Sequence, residues 1–187
     1  IGLMGFVLFV VVFFLLKDVI FDIYSKNSPM LLEYYFYFIP FTLIVVLTTI
    51  FESYLIVQQK PILPTFVREI LMRLLIMFGL TALYLGFFTF SSFTYYIIIY
   101  YLLGLLILVL YVKREKILFL KPNFQITKNP HFKEMLLFAG FVIMGNASAT
   151  IIANIDSLML SAYSGLGSAG IYTIAFFIAA VIEIPKR

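Results

Sequence analysis

Apolar residues run along the chain in six long blocks, at roughly 1–16, 34–57, 69–89, 95–112, 134–160 and 168–185. Each approaches the ~20 mostly apolar residues that a helix needs to cross a bilayer. Between the blocks lie "KDVIFDIYSKNSPMLLE", "QQKPILPTFVR", "FSSFT", "KREKILFLKPNFQITKNPHFK" and the short turn "SAYSGLG", where charged residues, prolines and glycines collect. These are turn and loop signals. No segment shows the alternation of about ten residues that marks a membrane β-strand. The pattern therefore predicts an all-α, polytopic membrane helix bundle of six spans. Pro40, inside the second block, predicts a kink whose freed carbonyl neighbouring helices would satisfy.

Composition agrees with the pattern. Of the 187 residues, 64% are hydrophobic and 12% charged, against about half and about a quarter in a soluble domain. The first block opens at Ile1 with no charged segment ahead of it, and Arg187 follows the last block. The expectation is an internal stretch of a larger membrane protein. There is no cysteine, which removes disulfide and thiolate chemistry. The formal charge of +4 is spread over the connections. It forms no basic patch on a folded surface, so a nucleic-acid partner is not expected. The expected surroundings are membrane lipids.

Charge then orients the spans. Lys60, Arg68, Arg73, Lys113, Arg114, Lys116, Lys121, Lys128, Lys133, Lys186 and Arg187 fall on one side. Lys17 and Lys26 fall on the other, alongside Asp18, Asp22 and Glu33. Eleven basic residues against two place 57–68, 113–133 and both ends in the cytoplasm by the positive-inside rule. Tyr95, Tyr96, Tyr100 and Tyr101, with Tyr34, Tyr35 and Tyr37, then form an outer aromatic belt. The 113–133 connection is the longest and most basic, and Pro122 and Pro130 break helix within it. It reads as a cytoplasmic linker between two bundles, and equally as a basic loop near the anionic leaflet.

No catalytic constellation is visible. The single histidine, His131, lies in the linker, so no His-based dyad or metal cluster forms. "GLGSAG" (Gly165–Gly170) reads as a turn and helix start, not as a nucleotide loop. No enzyme activity, metal or cofactor is expected.

The fifth span carries the informative polar residues. At 100° per residue, Ala139, Asn146, Ala149, Thr150, Ala153, Asn154 and Ser157 share one broad face. A small and polar face in a membrane helix looks onto other helices or onto a water-filled cavity. Asn146, Thr150, Asn154 and Asp156 are the candidate cavity residues. In the sixth span, Thr173, Ala175 and Ala179 suggest a packing seam, and Glu183 is expected to pair with Lys186 and Arg187. Glu52 lies some 26 Å into the second span at about 1.5 Å per residue, near the inner boundary. Lys60, Arg68 or Arg73 could neutralise it there.

The stretch 132–187 resembles the polysaccharide translocases of the multidrug/oligosaccharidyl-lipid/polysaccharide exporter superfamily, the O-antigen and capsule flippases. The residues that carry the resemblance are Asp156, Leu158-Met159-Leu160, Gly165 with Gly167, "GIYTIA" (Gly170–Ala175) and Ile184-Pro185. The preceding residues match in hydropathy and span count. The resemblance implies spans 3–8 of a two-lobe exporter of twelve to fourteen helices. Residues 1–112 would be the later four spans of the first lobe, 113–133 the inter-lobe linker, and 134–187 the first two spans of the second lobe.

It further implies alternating access to a central cavity and transfer of a lipid-linked oligosaccharide across the bacterial inner membrane. Other polysaccharide assembly proteins would be partners. Such exporters are expected to meet an anionic pyrophosphate with cations, and no Lys or Arg lies at mid-depth here. Arg68 and Arg73, at the inner end of the third span, are the candidate headgroup contacts, with positive-inside anchoring as their alternative role. Coupling to a proton or to a sodium ion stays open. A multidrug or cation exporter of the same superfamily would favour mid-depth carboxylates. A membrane-embedded polysaccharide polymerase would need acids, Arg or His clustered at an outer loop. Asp156 lies 22 residues after Glu134, or about 33 Å along the helix, which puts it near the outer boundary and leaves Asn146 and Thr150 at mid-depth.

The charge pattern makes a direct prediction. Single cysteines placed within 118–128 resist a membrane-impermeant thiol reagent added to intact cells, and labelling there reverses the orientation.

Overall fold

The computed structural model describes residues 2–115 and 131–183. Residues 116–130, most of the expected linker, and the expected pairing of Glu183 with Lys186 and Arg187 lie outside the described residues. Among the described residues every regular element is helical. Three of the described helices are long and apolar enough to cross a membrane: Tyr35–Val57, Phe90–Arg114 and Phe132–Tyr163. The pair Gly2–Leu15 and Lys17–Ser25 makes a fourth if it is one broken span. The chain divides into two compact units, one formed by Ile1–Leu15 with Phe36–Leu120 and the other by Leu16–Tyr35 with Lys121–Arg187.

The first unit holds α1 (Gly2–Leu15), α4 (Phe38–Val57), α5 (Ile62–Phe66), a π-helical turn (Val67–Leu71), α6 (Met72–Tyr84) and α7 (Phe90–Arg114). Its core is Leu55, Val67, Leu108 and Val112, with Phe51, Tyr54, Leu63, Leu71 and Met72 packed around them. α7 thus serves as the shared wall for α4 and for the α5–α6 segment. Small residues bring these helices close: a Cβ at Gly79 would strike the Tyr96 ring, and one at Gly104 would strike the Met72 methyl. Close approach of this kind is how membrane helices gain packing energy without a hydrophobic drive between them. Tyr96 then reaches α6 directly, its hydroxyl donating to Leu75 O at 2.6 Å.

The sequence explains the helix ends. Pro40 falls in the first turn of α4, just after a 3₁₀ turn at Tyr35–Tyr37. An N–H at that place has no intrahelical partner, so the proline costs no hydrogen bond and produces no mid-span kink. Pro61 and Pro64 similarly sit at the start of α5. Thr89 caps α7, its Oγ1 accepting from the Ser92 N–H at 3.3 Å. α4 ends in a left-handed residue, Gln59 at φ 58°. The Lys60 and Gln59 N–H groups donate back to Leu55 O and Ile56 O at 2.9 and 3.0 Å. α6 ends the same way at Gly86, with Phe87 N–H donating to Ala82 O at 3.0 Å. Lys60 also donates to Glu115 at the end of α7, and this bond holds the Lys60 pKa above its ordinary value.

The second unit holds α2 (Lys17–Ser25), α3 (Pro29–Glu33), α8 (Phe132–Tyr163) and α9 (Leu166–Glu183). The stretch expected as a connection before residue 34 is thus largely helical. Its apolar residues give a reason: Phe21 packs edge-on against Tyr35 with ring centres 5.3 Å apart, and Lys17 lies over the Phe21 ring. α8 has 32 residues. At about 1.5 Å each it is some 48 Å long, well beyond a ~30 Å hydrocarbon core.

The C-terminal end of α8 is closed by side chains from 24–28. Ser28 Oγ donates to Ser161 O at 2.6 Å, and Asn27 Nδ2 donates to Ala162 O and Tyr163 O at 2.8 and 3.1 Å. Ser164 N–H satisfies Leu160 O at 2.8 Å. All four carbonyls that a helix end leaves open therefore have donors. The chain then turns at Gly165, whose φ is +84°. A Cβ there would also lie 2.9 Å from Asn27 O.

Substitution tests this account. A left-handed conformation costs a non-glycine residue about 1–2 kcal/mol. Gly86→Ala pays that cost alone, because its Cβ meets nothing within 4 Å. Gly165→Ala pays it and also pushes Asn27 off the α8 carbonyls. Thermal unfolding of the purified protein gives a larger drop in Tm for Gly165→Ala than for Gly86→Ala.

Candidate functional site

Two groups of polar residues stand out, one in each unit. In the first unit, α4, the π turn, α6 and α7 surround a cleft of about 370 Å³. Thr48, Thr49 and Glu52 line it from α4, Arg68 and Arg73 from the π turn and α6, and Tyr100 and Tyr101 from α7. The two threonines donate to the carbonyls one turn back, Ile44 O and Val45 O, at 2.8 and 2.9 Å. Their oxygens keep acceptor capacity toward the cleft.

The charges in this cleft are interlocked. Arg68 Nη1 lies 3.7 Å from Glu52 Oε2, and Arg68 Nε donates to Glu69 Oε1 at 3.0 Å. Arg73 Nη2 donates to Glu69 Oε2 at 2.6 Å. Of the three basic residues expected to neutralise Glu52, Arg68 is the one beside it. Glu52 is the sheltered member, with 13% of its side chain exposed, whereas Arg68 is 59% and Arg73 72% exposed. A carboxylate removed from water needs a partner, and losing one partner of such a pair is costly. The two Glu69 pairs are exposed, and pairs of that kind contribute about 0.2–1 kcal/mol each.

A π turn carries this arrangement. Val67–Leu71 interrupts an otherwise α-helical run from Ile62 to Tyr84. Such insertions are uncommon and recur at functional sites. The Glu69–Arg73 spacing of four is legible in "REILMR" as a helical ion pair. Glu69 as a bridge to Arg68 is not legible there, because adjacent helical residues do not face each other. The sequence pattern therefore flagged both arginines and missed the acid that joins them.

In the second unit, Asn146, Thr150 and Asn154 follow one another up successive turns of α8 and are exposed. They are stitched along the helix: Thr150 Oγ1 donates to Asn146 O, and Asn154 Nδ2 to Thr150 O, both at 2.8 Å. The same stripe continues to Ser157 and Ser161, and there it is covered. Ser157 Oγ lies 3.4 Å from Thr173 Oγ1 on α9, and Ser161 is buried beneath Ser28. The stripe therefore packs at its C-terminal end and stays open over its middle. Asp156 does not join it. Two residues past Asn154 it falls about 200° around the helix, where Oδ2 accepts from the Tyr172 hydroxyl at 2.9 Å. Thr173, expected in a packing seam, does pack, through Ser157.

Among the described residues no three His, Asp or Glu side chains gather as metal ligands. His131 Nδ1 lies 3.0 Å from Glu134 Oε2 at the start of α8.

Comparison with known proteins places these features. No curated protein matches the chain, and no solved structure matches it. The family model described as polysaccharide biosynthesis protein matches residues 1–184. Its span takes in both units, the arginine cleft and the α8 stripe. With an all-helical fold and several membrane-length apolar helices, the chain is a multi-pass membrane protein, and it belongs to the polysaccharide biosynthesis protein family.

Proposed function

We propose that this protein moves a lipid-linked oligosaccharide, the precursor of a surface polysaccharide, across the bacterial inner membrane by alternating access. The observation that carries the proposal is the cleft of the first unit. It offers two arginines beside hydroxyls and tyrosines, in a membrane chain of a polysaccharide biosynthesis family. Guanidinium groups bind phosphate oxygens with paired, directional hydrogen bonds. Tyrosine faces and hydroxyls suit the sugar and its polar edges. Arg68 and Arg73 are the groups that receive the pyrophosphate, on the cytoplasmic side assigned by the loop charges.

In this reading the chain supplies six spans, corresponding to spans three to eight of a two-lobe exporter. α8 opens the second lobe, and its uncovered middle, Asn146 to Asn154, faces the hydrophilic path. Asp156, bonded to Tyr172, steadies the outer end of the α8–α9 hairpin. The protein acts as a transporter rather than an enzyme and uses no cofactor beyond a coupling ion. The sheltered Glu52 favours, as a second reading, a multidrug or cation exporter of the same superfamily. Its carboxylate is already answered by Arg68, which makes it a poor seat for a cationic substrate.

Deleting the gene should abolish a surface polysaccharide and leave lipid-linked repeat units inside the cell. Normal surface glycan in a strain without a paralogue sinks the transport reading. Cysteines placed at 146, 150 and 154 should react with small hydrophilic thiol reagents, whereas inertness at all three means that the stripe is packed against other helices.

A further inference from the structure

The bridge made by Glu69 has the geometry of a bound anion. One carboxylate spends its two oxygens on two different guanidinium groups, Oε1 on Arg68 Nε at 3.0 Å and Oε2 on Arg73 Nη2 at 2.6 Å. A phosphoryl group presents the same kind of oxygen edge, with one more oxygen and more charge. All three side chains are exposed enough to part without unpacking the helix, at 41%, 59% and 72% for Glu69, Arg68 and Arg73. Arg68 has a second carboxylate within reach, since Glu52 Oε2 lies 3.7 Å from its Nη1. That contact holds Arg68 at the cleft when Glu69 lets go.

We propose that Glu69 is a tethered competitor for the arginine pair: it occupies Arg68 and Arg73 when the cleft is empty and is displaced by the phosphoryl oxygens of an incoming anion. The inference rests on the reading of Arg68 and Arg73 as phosphate contacts and adds the residue that sets their affinity. A carboxylate beside the cleft, bonded to both arginines, keeps the two cations from repelling each other in the empty state. It also weakens binding, so a phosphorylated ligand can leave as well as enter. Weak singly charged anions do not displace it, whereas a pyrophosphate, with two phosphoryl groups, does. Glu69 is thus a specificity and release device, not a contact to the ligand.

The test measures binding to the purified protein in phosphatidylcholine nanodiscs, with two probes. One is inorganic pyrophosphate in solution, and the other is undecaprenyl pyrophosphate in the disc, which together separate a free anion from a lipid-borne one. Glu69→Gln, which keeps the shape and removes the charge, is expected to bind the recognised probe about tenfold more tightly. Arg68→Gln and Arg73→Gln are expected to bind it about tenfold more weakly. Glu115→Gln, which removes an acid paired with Lys60, controls for net charge and is expected to change binding little. Unchanged or weaker binding by Glu69→Gln, with loss in both arginine variants, overturns the competitor role while leaving the phosphate reading intact. Equal tightening by Glu69→Gln and Glu115→Gln also overturns it, as a general charge effect. No loss in either arginine variant removes the phosphate reading and this inference together.

Discussion

A chain that enters lipid must satisfy its backbone polar groups from within itself, because hydrocarbon offers them no partner. That constraint accounts for the all-helical build, and it presses hardest at the helix ends. Several ends here are closed by the chain's own groups. α4 and α6 finish in left-handed turns that return N–H groups to the last carbonyls, and α8 borrows Asn27 and Ser28. The α8 cap does more than close a helix. It ties the segment 17–33 to the α8–α9 hairpin through hydrogen bonds between residues more than 130 positions apart. An otherwise loose connection thereby becomes part of a packed unit.

The same constraint governs the charged residues. Glu52 is sheltered in an apolar helix, and Arg68, 3.7 Å away, offsets part of the cost. Arg68 is in turn shared with Glu69, and Glu69 with Arg73. The π turn at Val67–Leu71 carries two members of this series on one interrupted helix. Two acids and two arginines balance in charge, yet the arginines are the exposed members and the acid Glu52 the sheltered one. An anion approaching the cleft meets guanidinium groups first. Of the four, Glu52 alone is sheltered, so the asymmetry lies in exposure and not in net charge.

α8 applies one sequence pattern to two ends. Its stripe of small and polar residues packs where α9 and Ser28 cover it, at Ser157 and Ser161, and is uncovered from Asn146 to Asn154. The hydrogen bonds of Thr150 and Asn154 to carbonyls one turn back hold these side chains against the helix while leaving further polar capacity outward. Over the same middle turns the apolar residues are exposed too, Phe141 and Ile152 among them, so α8 packs within its unit mainly at its C-terminal end.

Much of the architecture was legible from residue order alone. Hydropathy and block length determine that this is a helical membrane protein, because only long apolar runs meet the length of a bilayer. The stripe on α8 and the turn at Gly165 follow from the 3.6-residue period and from glycine's freedom at positive φ. Tertiary structure decided the rest. The kink expected at Pro40 is absent because the helix begins only two residues earlier, and hydropathy does not mark a start that finely. The stretch 17–33 looked like a connection, yet it folds as helices and caps α8, since a cap depends on which carbonyls lie nearby in space. Arg68 and Glu69 are neighbours in sequence and read as separate surface charges. They became one bridge with Arg73 only in the folded chain, where the π turn and the packing of α4 bring Glu52, Arg68 and Arg73 to one cleft with Glu69 at its side.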